Sequence, residues 1–346
     1  MKIDLRSDTV TKPTEAMLQA MLQAQVGDDV YGEDTEVSSL ETCCASLFGH
    51  EAALFCPSGT MTNQIAIQLH TRRGDEVICA DIAHIYKYEG GGIAAQAHAQ
   101  ARTIKAEYGI IDANQITTCI NSDDPHFAHT ALVSIENTSN RGGGACYSLN
   151  QMQAISDLCK QYNIPLHLDG ARIFNAMVAL DINPIDLGKC FQTISICLSK
   201  GLGAPVGSVL IGSQQLIHQA KRIRKRMGGS MRQAGYLAAA GKFALTHHID
   251  RLAKDHEHAQ IVRNALSKIK AIKNIYPCPT NIIIFECETS EVCNHFQSYL
   301  LAHQIMCNKV SEVGIRFVFH LDVTAEMIQK IVATISLYEE LHLQRA

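Results

Sequence analysis

The chain has 346 residues, 47% of them hydrophobic, with a formal net charge of -4 and a pI near 6.5. A chain of this size and composition buries a sizeable core and divides into about two domains. Its weakly negative balance excludes a general electrostatic attraction to nucleic acid or to an anionic membrane surface.

The opening Met1 to Arg6 segment runs into charged residues without a secretory apolar region, and no later apolar run has the length of a membrane span. The expected location is the cytoplasm. Lys12-Pro13-Thr14 starts a helix whose Met17, Leu18, Met21 and Leu22 share a face; Val37, Leu40, Cys44 and Leu47 mark a second, stopped by Gly49. Short apolar runs then alternate with helical stretches, at 52–56, 76–80, 131–135, 165–168, 193–198 and 206–211. Buried strands separated by helices predict an α/β domain on a mostly parallel sheet. From residue 251 the texture changes to a charged helix over 251–270, apolar runs at 281–287 and 315–319, and a last helix from Thr324. The expected division is a large α/β domain over 1–249 and a smaller C-terminal α+β domain over 250–346, with the extreme N-terminal segment packing against the small domain.

The 13 cysteines are odd in number, lie in apolar segments and include no C-x-x-C pair, so they read as buried, reduced thiols. Cys293-Asn-His295 finds no second ligand pair to complete a metal site, and no metal is expected.

Three predicted strands end in residues with reactive potential: Ser58-Gly59-Thr60 after the first, Asp169-Gly-Ala-Arg172 after the fourth, and Lys200 after the fifth. Open α/β sheets bind ligands beyond the carboxyl ends of their strands, so one pocket can hold all three. A lysine there loses solvation, which favours its neutral, nucleophilic form and allows a Schiff base. Taken singly, Lys200 also reads as a surface lysine in a turn and Asp169 as a loop cap. Together they describe a site for pyridoxal phosphate, which needs a lysine for attachment and an acid beside its ring nitrogen. The helix that begins at Ser58, Gly59 and Thr60 offers free N–H groups and hydroxyls to the phosphate. Gly201-Leu-Gly203-Ala-Pro-Val-Gly207 also looks like a loosened dinucleotide fingerprint, but an apolar strand rather than a helix follows it.

On several strings in one order the chain resembles the low-specificity L-threonine aldolases, which are fold type I, aspartate-aminotransferase-like enzymes. The strings include Asp4-Leu-Arg-Ser-Asp-Thr-Val-Thr11, Gly27-Asp-Asp-Val-Tyr-Gly32, Pro57-Ser-Gly-Thr60, His84 with Glu89-Gly-Gly91, Glu136-Asn-Thr138, Leu168-Asp-Gly-Ala-Arg-Ile-Phe-Asn-Ala176, Ser199-Lys-Gly-Leu-Gly203, Met231-Arg-Gln233 and His320-Leu-Asp322. The resemblance implies a homotetramer with active sites shared between subunits, cleaving L-threonine and L-allo-threonine to glycine and acetaldehyde. It implies Lys200 as the Schiff-base lysine, Asp169 as the acid at the ring nitrogen, Ser58, Gly59 and Thr60 at the phosphate, and His84 over the ring. Ser7, Arg172 and Arg316 match the groups that hold the substrate carboxylate, a task suited to the planar fork of arginine. Ser58 and Ser139 stand where the family often has threonine and histidine.

His84 and His126 are both candidates for the base that takes the β-hydroxyl proton. Tyr31 and Tyr88 are candidate walls of the substrate pocket. The run Lys221-Arg-Ile-Arg-Lys-Arg226 spreads its charges around a helix and reads as a solvated or intersubunit segment rather than a nucleic-acid site. The resemblance implies that Lys225 and, beyond the run, Arg232 fall close to the cofactor region, as candidates for a neighbouring subunit's site. The alternatives are another fold type I lyase, such as a β-eliminating enzyme that shares Lys200 and Asp169, and a catalytically silent α/β protein that binds no cofactor.

Overall fold

The computed structural model describes residues 1–343. In chain order its strands are β1 (Ile3–Asp4), β2 (Ala52–Cys56), β3 (Glu76–Ala80), β4 (Gln100–Ile104), β5 (Thr130–Glu136), β6 (Leu166–Gly170), β7 (Thr193–Cys197), β8 (Ser208–Gly212), β9 (Ile272–Ile275), β10 (Ile282–Cys287), β11 (Ile305–Met306), β12 (Asn308–Lys309) and β13 (Gly314–Val318). Seven form one sheet in the order β2-β8-β7-β6-β5-β3-β4. It is parallel except at β8, which runs antiparallel to both neighbours. This is the mostly parallel sheet expected of an α/β fold.

Successive residues of a strand face opposite sides of a sheet, and the packing follows that period. On β2, Ala53 and Phe55 join the main core, while Leu54 and Cys56 join a second cluster with Ile65, Leu210 and Ile217 on the other face. Helices therefore cover both faces, as a parallel sheet requires. In this sheet the strand that apolar patterning misses is β4, an edge where Gln100, Arg102 and Thr103 are exposed.

The helix Glu15–Leu22 begins after Thr14, whose hydroxyl accepts from Met17 N–H. Its apolar face is narrower than expected. Met17 is buried and Met21 packs partly, but Leu18 and Leu22 stand exposed, because they lie about 100° further around the helix from the strip that meets the core.

The small sheet, β12-β13-β10-β9, is antiparallel. Ile283 and Phe285 of β10 and Ile315 and Phe317 of β13 face one core with the helices Ser290–Ala302 and Ala325–Leu343; Ile282, Ile284 and Val318 face the other way. Arg316 shares that second side by the period of two. The N-terminal β1 pairs with β11, and Ile3 and Leu5 enter the small core. The chain then passes Arg6 and Ser7 toward the large sheet.

The basic run lies in the helix Gln214–Arg226, where Lys221, Arg222, Lys225 and Arg226 are exposed and Arg224 is the exception. Its guanidinium is buried, giving hydrogen bonds to the Phe55 carbonyl at 2.6 Å and to Asp29 at 2.8 Å. Glu41 accepts from Phe55 N–H at 2.8 Å. Two side chains thus satisfy the outer edge of β2 and block another strand from pairing there. The cysteines are unpaired, and Cys43 is the exposed one. Among the described residues no helix is long and apolar enough to cross a membrane.

Candidate active site

Parallel strands bring their carboxyl ends to one edge of the large sheet. There β2 leads to Ser58, β3 to His84, β5 to Asn140, β6 ends around Asp169, and β7 leads to Lys200. The helix Gly59–His70 starts at this edge with Ser58 as its cap, the hydroxyl accepting from Met61 N–H at 3.2 Å. A Cβ on Gly59 would lie 2.6 Å from Sγ of Cys197, the last residue of β7. Glycine thus lets the helix end, with its unpaired N–H groups, close on the sheet edge.

Asp169 and His167 are two apart on β6 and share a face of the sheet. The Asp169 carboxylate accepts from Asn63 Nδ2 at 3.0 Å and from Ala171 N–H at 3.2 Å. Asn63 Nδ2 also donates to Glu89 at 2.9 Å, and Gln64 Nε2 donates to the other Glu89 oxygen at 2.6 Å. Glu89 in turn accepts from His84 Nδ1 at 2.9 Å, and His84 N–H donates to Glu136 at 2.8 Å. His84, Glu89 and Asp169 have ligand-type atoms within 4.8 Å of one another. Amide hydrogens of Asn63 and Gln64 already occupy those carboxylates, so the group is a hydrogen-bonded cluster. Burial opposes charge on His84, but the hydrogen bond to Glu89 and the charges of Asp169, Glu89 and Glu136 outweigh it and raise its pKa above 6.5. Because Nδ1 carries the hydrogen given to Glu89, Nε2 is the free basic nitrogen.

A second group of side chains lies where the N-terminal segment meets the sheet edge. Arg172 gives two hydrogen bonds to Asp8, Nε to Oδ2 at 2.6 Å and Nη2 to Oδ1 at 2.7 Å. Its remaining Nη1 reaches Asn140 Oδ1 at 3.3 Å, and Arg316 Nη1 reaches the same oxygen at 2.7 Å. Burial works against the Asp8 anion, yet Arg172 first, then Lys200 and Arg316, hold its carboxyl down at about 2. Arg316 also gives Nη2 to the Arg6 carbonyl, and its buried Nε has no hydrogen-bond partner. Burial and the neighbouring Arg172 lower its pKa to about 10. An anion entering here would meet two guanidiniums, one with an unused donor. Ser7 begins the short turn Asp8–Val10, its hydroxyl accepting from Thr9 N–H and lying 3.5 Å from Asp8.

Other expected site residues stand apart from these contacts. His126 is on a loop with its side chain 86% exposed, its ring and backbone N–H both on Asp124. Tyr31 is 76% exposed, and Lys225 is exposed. Arg232, also exposed, pairs with Asp28 at 3.0 Å. Tyr88 does reach the site, its ring 5.8 Å from that of His84 and under the Arg141 guanidinium at 4.7 Å. Ser139 turns into its own loop, where its hydroxyl accepts from Gly142 N–H. Asn63, Glu89, Asp8 and Asn140 were not singled out from the sequence. Asp8 and Glu89 lie in or beside the quoted motifs, but nothing in residue type or spacing marks Asn63 or Asn140.

Pyridoxal phosphate fits this edge. The donor set offers a lysine, a buried carboxylate, a histidine, and a helix N-terminus that a glycine lets close on the sheet edge.

Residues 4–288 match the family described as beta-eliminating lyase. The low-specificity L-threonine aldolase 1 of Arabidopsis thaliana is 40% identical over 331 residues, covering 93% of this chain and 92% of its own. The low specificity L-threonine aldolase of Escherichia coli (strain K12) is 41% identical over 332 residues, covering 96% and 97%. A threonine aldolase structure from Leishmania major has a TM-score of 0.86 at 22% identity, over 97% of this chain and 99% of its own, which shows the same fold. With such identity running almost end to end, the chain belongs to the low-specificity L-threonine aldolases, a pyridoxal-phosphate-dependent group within the beta-eliminating lyase family.

Proposed function

We propose that the protein cleaves L-threonine and L-allo-threonine between Cα and Cβ to glycine and acetaldehyde, and accepts other L-3-hydroxy amino acids. The observation that carries this reading is the anion bay of Arg172 and Arg316, with its unpartnered Arg316 Nε, beside the edge that holds Lys200, Asp169 and His84.

When bound, pyridoxal phosphate supplies the electron sink for the pair left at Cα. Lys200 provides the amine for its attachment, and Asp169 provides a fixed acceptor for its ring N–H. Gly59 and Thr60 N–H groups and the Thr60 hydroxyl hold the phosphate, with Ser58 shaping the helix end through its cap. Arg316 and Arg172, with Ser7, fix the substrate carboxylate and so select which bond at Cα is broken. His84 Nε2 takes the β-hydroxyl proton as the aldehyde leaves, directly or through a water, while Glu89 keeps the ring in the tautomer that leaves Nε2 bare. The exposed position of His126 favours His84, so His84→Asn should lose more turnover than His126→Asn. A cavity of about 210 Å³ lined by Ile82, Tyr88, Arg141, Tyr276 and Ile284 adjoins Arg316, whose β13 position is paired with Ile284. It supports acceptance of larger β-substituents.

The exposed Leu18, Leu22, Val30 and Tyr31 support a homotetramer with shared sites, to which Lys225 and Arg232 would contribute; sedimentation of the purified protein tests it. Unpaired thiols suit the cytoplasm. The two hydrophobic cores support a division near residue 250, crossed by the helix Leu252–Leu266, which contributes to both.

Acetaldehyde release from each diastereomer, with and without added pyridoxal phosphate, tests the function. Cofactor-dependent release that Lys200→Ala abolishes is the expected result. Release of ammonia and a keto acid in place of acetaldehyde would favour the β-eliminating alternative.

A further inference from the structure

Asn63 occupies one turn of helix inside the Gly59 end and is buried, as are Glu89, Asp169 and His167. Its carboxamide nitrogen has two hydrogens. One goes to Glu89 at 2.9 Å and the other to Asp169 at 3.0 Å. A flipped carboxamide would set an oxygen against two carboxylates, so the orientation is decided by the network. Asn63 Oδ1 must then accept, and its neighbour is His167 Nε2 at 3.1 Å.

That choice propagates. Burial lowers the pKa of His167 to about 4 and leaves the ring neutral; with its hydrogen on Nε2, Nδ1 is bare. It accepts from the Thr193 hydroxyl at 2.9 Å, and that oxygen accepts from His70 Nε2 at 3.1 Å. His70, also held neutral by burial and by His167, has a pKa of about 4. A single order of donors and acceptors thus runs from the far end of the Gly59–His70 helix to the two carboxylates.

We propose that Asn63 is a positioning residue for the reaction: its amide bridges Glu89, which orients His84, and Asp169, which meets the cofactor ring, and holds the two carboxyls in place at close range. The bridge makes one rigid unit of the groups assigned to two different tasks, base and ring acceptor. This inference rests on the roles of Asp169 and His84 given above. The charged and titratable groups facing the pair are His84 before Glu89, Glu136 on β5 and His167 on β6. His84 also hydrogen-bonds Glu89, but among the described residues it is the Asn63 amide that gives a hydrogen bond to each of the two carboxyls.

Replacing Asn63 by leucine, which branches at the same carbon, removes both donors. Two buried carboxylates then face each other without a bridge, and one of the pair takes a proton from solvent. The test is infrared difference spectroscopy of full-length Asn63→Leu against the parent at neutral pH, with and without pyridoxal phosphate. Differencing against the parent cancels acids partly protonated there, such as the buried Glu41, whose pKa burial raises to about 7. The expected result is a new carboxylic-acid C=O band that vanishes in Asn63→Leu/Glu89→Gln, together with a loss of kcat of about 10- to 100-fold at little change in KM. Absence of that band in folded Asn63→Leu overturns the proposal, even if activity falls. If Asn63→Leu does not fold, Asn63→Ala takes its place with the same readouts, since it also removes both donors. Because the band needs no turnover, a parent protein that released no acetaldehyde would defeat the proposed function without deciding the bridge.

Discussion

Asp8 and Arg172 form a buried, two-point ion pair, 2.6 and 2.7 Å, that joins the N-terminal segment to the turn after β6. Side chains 164 positions apart in sequence are thereby fixed at one corner of the active site, leaving Nη1 of Arg172, which reaches Asn140, as the donor group not taken by Asp8.

Breaking this pair from one side leaves a buried charge without its partner. Asp8→Ala should cost about 3–5 kcal/mol of stability, read by urea unfolding at neutral pH. The folded pKa of Asp8, about 2, lies below its ordinary 3.8, so its contribution is present above 3.8 and is lost as pH falls from there toward 2. That contribution is about 2 kcal/mol, and a parent protein whose stability did not fall faster over this window than that of Asp8→Asn would contradict the assignment.

The raised pKa of His84 sets the acid limb of turnover. A base must be unprotonated to accept the hydroxyl proton, so kcat should decline as pH falls through a value above 6.5. Glu89→Gln removes the hydrogen-bonded anion and should move the limb to lower pH while lowering the maximum. A limb that stays in place in Glu89→Gln would mean that another group carries the proton.

Arg316 is predicted to act on the substrate carboxylate rather than on stability. Arg316→Ala should reduce kcat/KM for L-threonine about 10- to 100-fold, the worth of a charged hydrogen bond. Arg316→Lys should recover only part of this, since an ammonium cannot offer the planar fork. Steady-state kinetics with both variants decides the matter; equal kcat/KM in parent and Arg316→Ala would remove Arg316 from the site.

At Gly59 even one methyl group is too many. Its Cβ would stand 2.6 Å from Cys197 Sγ, so Gly59→Ala must push the helix end off β7, at about 1–3 kcal/mol. The affinity for pyridoxal phosphate should fall with it, and titration of the cofactor-free protein measures that loss. Unchanged affinity would place the phosphate elsewhere.

Much of the architecture was legible because burial leaves a local trace. The apolar runs that became β2, β3, β5, β6, β7 and β8 are buried on both faces, and such strands are written as short unbroken apolar stretches between turn residues. Asp169 and Lys200 could be picked out for the same reason, as polar residues at the ends of those stretches. The edge strand β4, half solvated, leaves no such trace, and Leu18 and Leu22 cannot be told from core residues by a periodicity that both satisfy.

The amino-acid sequence by itself determined the α/β fold, the order of the catalytic strand ends and, through its quoted motifs, the family. Only the tertiary structure decided which polar groups meet: that Asp8 takes two of the three donor groups of Arg172, that Asn140 lies between two guanidiniums, that Asn63 bridges Glu89 and Asp169, and that His126 remains outside with Asp124. The physical reason is range. Strand burial is encoded by neighbours one or two residues apart, whereas a buried hydrogen bond requires angle and distance to agree between segments that become adjacent only when the sheet and its covering helices have packed.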